Sequence, residues 1–210
     1  MFPVPTRIKI CGITRPEDAL RAAELGVDAI GLIFFAGSAR HVTPSRALEV
    51  ITHLPPFVTT VGLFVDASGL EVRKVLDEVP LDLLQFHGSE TPEFCAGFRR
   101  PYMKAIAAAP GVDLLQSAGF HARARALLVD AYVPGVAGGT GVQADWSAIP
   151  RSLPIPVVLA GGLHAGNVAE AIRAVRPWAV DVSSGVELSR GIKDHHKMAA
   201  FVRGVRDADV

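Results

Sequence analysis

The sequence predicts an α/β protein, a closed (β/α)8 barrel spanning residues 1–210 as one domain. Three observations carry this. Strand-like and helix-like runs alternate from end to end. The connections are short, with no linker-like break in composition. The turn after the first strand reads Cys-Gly-Ile-Thr, not the Gly-x-Gly-x-x-Gly of an open doubly wound sheet.

The first strand, 7–13, alternates Ile8 and Ile10 with Arg7 and Lys9 and ends at Cys11. Pro16 opens a helix over 17–25 and Gly26 closes it. The run 29–35, AIGLIFF, is apolar throughout, as a strand buried on both faces should be. Thr43-Pro44 caps a helix to about residue 54. Strand 59–65 and helix 71–79 follow, then strand 81–87, ending Gln-Phe-His-Gly. The next helix, 92–98, carries Cys95, and 102–108 is the fifth strand. A fifth helix over 112–118 is short or missing. Strand 125–131 ends in Val-Asp, before a glycine-rich loop and Asp145-Trp146-Ser147. Strand 156–160, helix 167–175, strand 179–183 and helix 194–206 complete the count.

Half of the residues are hydrophobic and a fifth charged, a composition that supports a filled core and argues against disorder. The 21 basic and 21 acidic residues cancel, so no global field favours nucleic acid or an acidic membrane; an anionic ligand needs local groups. Two cysteines form neither a disulfide framework nor a metal-ligand pattern. MFPVPTRIKI is no secretory signal and no apolar run spans a bilayer, which predicts a cytoplasmic protein.

In a barrel the strand C-termini form the site face. Reading those ends in order collects Cys11, Arg40, Asp66, Gln85, His87, Asp130 and Asp181. A lone cysteine among apolar residues is either a small core residue or a catalyst. Asp130 is either a structural acceptor for loop N–H groups or an acid, and partial burial would favour its protonated form. His87 reads as a hydrogen-bonding rim residue, and His195-His196 as a solvated helix start. Arg40 offers a planar fork for a carboxylate, or is a surface arginine. Glycine clusters at Gly138-Gly139-Thr140-Gly141, Gly161-Gly162 and Ser183-Ser184-Gly185 follow the sixth, seventh and eighth strands. They either make tight turns or let backbone N–H groups approach a phosphate, a common use of the last two loops in barrels.

Assembled in order, KICGIT at Lys9, GLIFFAGSARHV at Gly31, LLQFHG at Leu83, LLVDA at Leu127, GGTG at Gly138, DW at Asp145, LAGGL at Leu159 and VDVSSGVE at Val180 resemble the phosphoribosylanthranilate isomerase family of tryptophan biosynthesis. The resemblance covers nearly the whole chain. It implies a TIM barrel that needs no cofactor and no metal. The implied reaction is an Amadori rearrangement of N-(5-phosphoribosyl)anthranilate to 1-(2-carboxyphenylamino)-1-deoxyribulose 5-phosphate. Carried over by position, Cys11 is the general base and Asp130 the general acid. Arg40 faces the anthranilate carboxylate; the strand-end residues Gln85, His87 and Asp181 are expected to join it in substrate binding. Gly141, Gly161, Gly162, Ser184 and Gly185 hold the phosphate.

Three positions depart from the family pattern: Ala39 for a proline, Ala144 for a phenylalanine, and His164-Ala165 where a proline often stands. A free thiol is only slightly ionised near neutrality, so Cys11 should be helped by its surroundings, with Lys9 a candidate helper. The partner is a small phosphosugar, with no nucleic acid and no membrane, and the chain is a monomer or a homodimer. The alternatives are the histidine-pathway barrel isomerase, whose family uses two carboxylates, and a non-catalytic phosphosugar-binding or redox barrel.

Overall fold

The computed structural model describes residues 5–130, 146, 149–150 and 152–209. Eight strands close a parallel barrel in the order β1 to β8: β1 Arg7–Cys11, β2 Ala29–Ile33, β3 Thr59–Phe64, β4 Leu83–Phe86, β5 Tyr102–Ala107, β6 Ala126–Asp130, β7 Val157–Ala160 and β8 Ala179–Val182. The closing seam pairs β1 with β8 and sets Lys9 directly against Asp181. Among the described residues, seven α-helices cover the outside: α1 Pro16–Glu24, α2 Pro44–Thr52, α3 Gly69–Glu78, α4 Pro92–Ala96, α5 Leu114–Phe120, α6 Val168–Val175 and α7 His195–Ala208. None is long and apolar enough to cross a membrane.

Local chemistry explains where the helices begin. Thr43 and Thr91 accept backbone N–H bonds at the starts of α2 and α4, each followed by a proline that needs no donor partner. Ser68 and Glu71 form a reciprocal capping box on α3. The fifth helix is present and seven residues long. It starts two residues later than the sequence suggests, because Asp113 caps it through the N–H groups of Leu115 and Gln116.

Period-two alternation divides the barrel into two cores. Ile8, Ile10, Leu84, Phe86, Leu127, Val129, Val180 and Val182 point outward and pack under the helices. The other phase, including Val61, Met103, Ala126, Leu128 and Val158, fills the lumen. A feature not anticipated from sequence follows β8: a 3-10 turn, Ser184–Val186, then a short antiparallel hairpin, β9 Glu187–Ser189 and β10 Ile192–Lys193.

Candidate active site

The inward phase of the strands, continued to their C-terminal ends, delivers polar groups to one place. On β1 this phase is Arg7, Lys9, Cys11; on β4 it is Leu83, Gln85 and then His87; on β6, Ala126, Leu128, Asp130; on β8, Ala179 and Asp181. A cavity of about 440 Å³ opens there, lined by Cys11, Arg40, Gln85, His87, Asp130 and Asp181, with Gly161, Gly162 and Ser184 along one wall. The structure therefore brings together most of the rim residues selected from sequence. A second cavity, of about 360 Å³, lies at the opposite mouth around Phe57 and Trp178. It lacks the thiol and the strand-end carboxylates, so it is not the site.

Asp66 is the exception. Its carboxylate accepts bonds from the Ser89 N–H and hydroxyl at 2.6 and 2.7 Å, its φ is +47°, and it does not line the cavity. It organises the loop after β3. His195 is not simply solvated either, because its Nε2 lies 2.9 Å from the fully buried Asp18.

Cys11, Lys9 and Asp181 form a charged group inside the lumen. Lys9 Nζ donates to Asp181 Oδ1 at 2.9 Å, and both side chains are nearly fully buried. Residues i and i+2 share a face on a strand, so Lys9 and Cys11 point the same way. Gly31 on β2 makes room for them: a Cβ there would lie 2.7 Å from Cys11 Sγ and 3.1 Å from Lys9 Nζ. Burial pushes the Cys11 thiol up, and the Lys9 charge pulls it back only in part. The surroundings thus include the helper looked for in the sequence, yet their net effect favours the neutral thiol. Burial works against the Lys9 ammonium, but Asp181 and Cys11 outweigh it and hold it above the ordinary lysine value. Burial also pushes the Asp181 carboxyl up, against the opposing pull of Lys9.

Asp130, on β6, is partly buried, as expected, with its side chain 39% exposed. His87 Nε2 lies 3.5 Å from its Oδ2, and Gln85 Nε2 lies 3.2 Å from His87 Nδ1. Gln85 is fully buried and its Oε1 has no protein partner among the described residues. A Gln–His–Asp row thus leads from the lumen to the rim.

Arg40 stands across the cavity, after β2. Its Nε and Nη2 donate to Glu187 Oε1 and Oε2, both at 2.7 Å. Lys193 Nζ donates to the same carboxylate at 2.9 Å. Gly12 has φ +73°, and a Cβ there would meet Arg40 Cδ at 2.5 Å, so the glycine of KICGIT lets the arginine cross the first turn. Glu187 and Lys193 were missed from sequence. Glu187 ends the VDVSSGVE motif, but Arg40 reaches it from 147 residues away, and Lys193 faces it only through the hairpin the sequence did not show.

The turns assigned to phosphate separate into three cases. Gly161 and Gly162 have φ +90° and +63°, which open the loop after β7 in a conformation suited to glycine. Gly185 lies in the 3-10 turn after β8, and a Cβ there would overlap the Leu163 carbonyl oxygen. The two loops are therefore in backbone contact, with Ser184 at the cavity wall. Gly141, with Ala144 and Asp145, lies outside the described residues.

Cys95 is fully buried on α4 in the outer core, its thiol pushed up to about 12, first by burial. It has no place at the site, and both cysteines are free. Among the described residues no group of three His, Cys, Asp or Glu side chains is arranged to hold a metal ion.

A family model described as N-(5'phosphoribosyl)anthranilate (PRA) isomerase matches residues 8–204. The N-(5'-phosphoribosyl)anthranilate isomerase of Nitrosospira multiformis is 55% identical over 199 residues, covering 95% of this chain and 96% of that one. The crystal structure of phosphoribosyl anthranilate isomerase from Thermotoga maritima superposes with a TM-score of 0.88 at 38% identity, covering 96% and 99% of the two chains. A solved complex of such an isomerase with reduced 1-(o-carboxyphenylamino)-1-deoxyribulose 5-phosphate gives a TM-score of 0.84 at 37% identity, with coverage of 96% and 99%.

Proposed function

The chain belongs to the N-(5'-phosphoribosyl)anthranilate isomerase family, whose reaction isomerises phosphoribosylanthranilate in tryptophan biosynthesis, and we propose that it performs this reaction with Cys11 as general base and Asp130 as general acid. The observation that carries the assignment is the shared cavity. A thiol ending β1 and a carboxyl ending β6 face the same space from opposite sectors of the barrel.

Asp130 donates its proton to the ribose ring oxygen. The C1–O bond breaks as the anthranilate nitrogen forms a C=N bond, which gives a protonated Schiff base. Cys11 thiolate then removes the proton from C2, and the electron pair moves to the nitrogen as the enolamine. The enolamine tautomerises to the ketone. Burial makes the thiolate scarce but a stronger base once formed, and Lys9 is its counter-ion at that moment. His87, held by Gln85, stands with Nε2 3.5 Å from Asp130 Oδ2, within reach of a hydrogen bond during the proton transfer. Asp181 fixes Lys9 from behind. The backbone of Gly161, Gly162, Ser184 and Gly185 receives the phosphate, and Arg40 the anthranilate carboxylate. No step calls for a metal or an organic cofactor.

The remaining readings are that 1–210 is one domain, that the protein is cytoplasmic, and that it binds no nucleic acid. It is a monomer or a homodimer. Phe57, 99% exposed beside the apolar mouth at the N-terminal end of the barrel, favours the homodimer, and light scattering on the eluted protein decides this. Function is tested by a fluorescence assay with freshly generated phosphoribosylanthranilate, run beside the histidine-pathway substrate. Turnover of the first supports the reading; turnover of the second alone overturns it.

A further inference from the structure

Arg40 has a task at the substrate carboxylate, yet one of its two forks is already filled. A guanidinium carries five N–H groups. Its side-on fork, Nε with one N–H of Nη2, is closed on Glu187 by two bonds of 2.7 Å. Both N–H groups of Nη1 and the second of Nη2 are left, and one from each nitrogen forms the end-on fork. Arg40 lines the cavity with its side chain 21% exposed, while Glu187 behind it is 5% exposed. A carboxylate so deeply buried needs compensation beyond one shared arginine. It has this: Lys193 Nζ, fully buried, donates to Oε1 at 2.9 Å, and the Gly191 N–H points to the same oxygen at 3.3 Å.

We propose that Glu187 is the positioning residue of the carboxylate site: it clamps the side-on fork of Arg40 so that the end-on fork faces the anthranilate carboxylate, while Lys193 keeps the loaded cluster neutral. The proposal rests on the assignment of Arg40 to that carboxylate.

The charge count supports the arrangement. Empty, the cluster of Arg40, Glu187 and Lys193 carries one net positive charge. A bound carboxylate brings it to zero. Without Lys193 the loaded cluster would carry a buried negative charge, which a low-dielectric site resists. Burial pushes the Glu187 carboxyl up, but the Arg40 bonds and the Lys193 charge outweigh it and hold it below the ordinary glutamate value. The hairpin after β8 gains a purpose here. It carries Glu187 on one strand and Lys193 on the other, and Lys197 Nζ donates to the Glu187 carbonyl at 2.8 Å from α7. The Arg40 backbone is tied to Ser38 and, through His41, to the end of β2, but among the described residues its side-chain hydrogen bonds go to Glu187 alone. A long flexible side chain held by one bidentate partner loses its orientation when that partner goes.

The test compares two substrates, the phosphoribosyl adducts of anthranilate and of aniline, which lacks the carboxylate. Four enzymes are assayed against wild type: Arg40→Ala, Glu187→Gln, Glu187→Asp, and Glu187→Gln with Lys193→Met. The double variant removes both buried charges, so it keeps the measurement open if the single variant does not fold. The expected result for Glu187→Gln is a 10- to 100-fold rise in KM for the anthranilate adduct, within the span of losing one fork of a charged pair, about 1.4–2.7 kcal/mol by the tenfold conversion. The KM for the aniline adduct should stay within twofold, and kcat on both should change little. Glu187→Asp should restore part of the preference for the carboxylate. If Arg40→Ala loses the preference while Glu187→Gln and the double variant keep it, the clamp is overturned and the Arg40 assignment stands. If Arg40→Ala keeps the preference, that assignment fails and the clamp with it.

Discussion

Replacing Gly185 with alanine tests whether the contact between the β7 and β8 loops builds the phosphate site. The added Cβ would lie 3.0 Å from the Leu163 carbonyl carbon and 3.1 Å from His164 Cβ, and would overlap the Leu163 oxygen. Carbon atoms prefer about 3.5–4.0 Å, and the neighbours on the Leu163 side are backbone, not a flexible side-chain end. The two loops must therefore separate by roughly 1 Å. Overpacking of this kind costs about 1–3 kcal/mol of stability, and a 1 Å misplacement of a binding group costs on the order of 10²-fold in rate. Gly185→Ala should thus lower kcat/KM about 100-fold, weaken competitive inhibition by inorganic phosphate, and shift the urea midpoint downward. The preference for the anthranilate over the aniline adduct should persist, because Arg40 is held from the hairpin. Gly119→Ala, where a Cβ meets nothing within 4 Å, is the control. Near-wild-type KM and phosphate inhibition in Gly185→Ala would refute the reasoning.

Cys11→Ser and Asp130→Asn should each lose roughly 10²–10⁴-fold in turnover, with phosphate inhibition retained, as titrations with inorganic phosphate will show. Burial raises the Cys11 thiol, so thiolate accumulates only as pH climbs past its ordinary range, and alkylation by iodoacetamide should accelerate into alkaline solution. Lys9 pulls the thiol down, so Lys9→Met should move that rise further alkaline, read by peptide mapping of Cys11. Burial pushes Asp18 up, but Arg15, His195 and the Lys193 N–H hold it below the ordinary aspartate value. Its stabilisation is complete above the unfolded value of about 3.9 and is lost as pH falls through the lower folded value. Asp18→Asn should flatten the acid side of the urea-midpoint profile. Activity should survive exhaustive dialysis against a chelator, and recovery on adding metal would overturn the mechanism.

Much of the architecture was legible in the chain because its signals are local. Proline after threonine starts α2 and α4, and the AIGLI of AIGLIFF forms a strand covered on both sides, with the exposed Phe35 beyond its end. The strand ends carrying Cys11, Gln85, His87, Asp130 and Asp181 were found by the same counting, since site residues in a barrel sit where strands stop. Asp66 was selected by that rule and fails it. Its positive φ and its bonds to Ser89 turn the carboxylate into the loop, and no sequence pattern reports a dihedral.

The sequence by itself determined the number and kind of elements and the family motifs, because turn residues, alternation and helix caps act over a few neighbours. Only the tertiary structure decided which face of β1 is inside. Read alone, RIKIC invites the isoleucines to the interior and Lys9 to water. Barrel closure reverses this: Ile8 and Ile10 pack under the helices, and Lys9 enters the lumen. The inversion is stable because β8 returns beside β1 and sets Asp181 2.9 Å from Lys9, across 172 residues of chain. Arg40, Glu187 and Lys193 meet for the same reason. A buried charge tolerates its position only where a partner is brought to it, and that partner is supplied by topology, over distances that local sequence signals do not span.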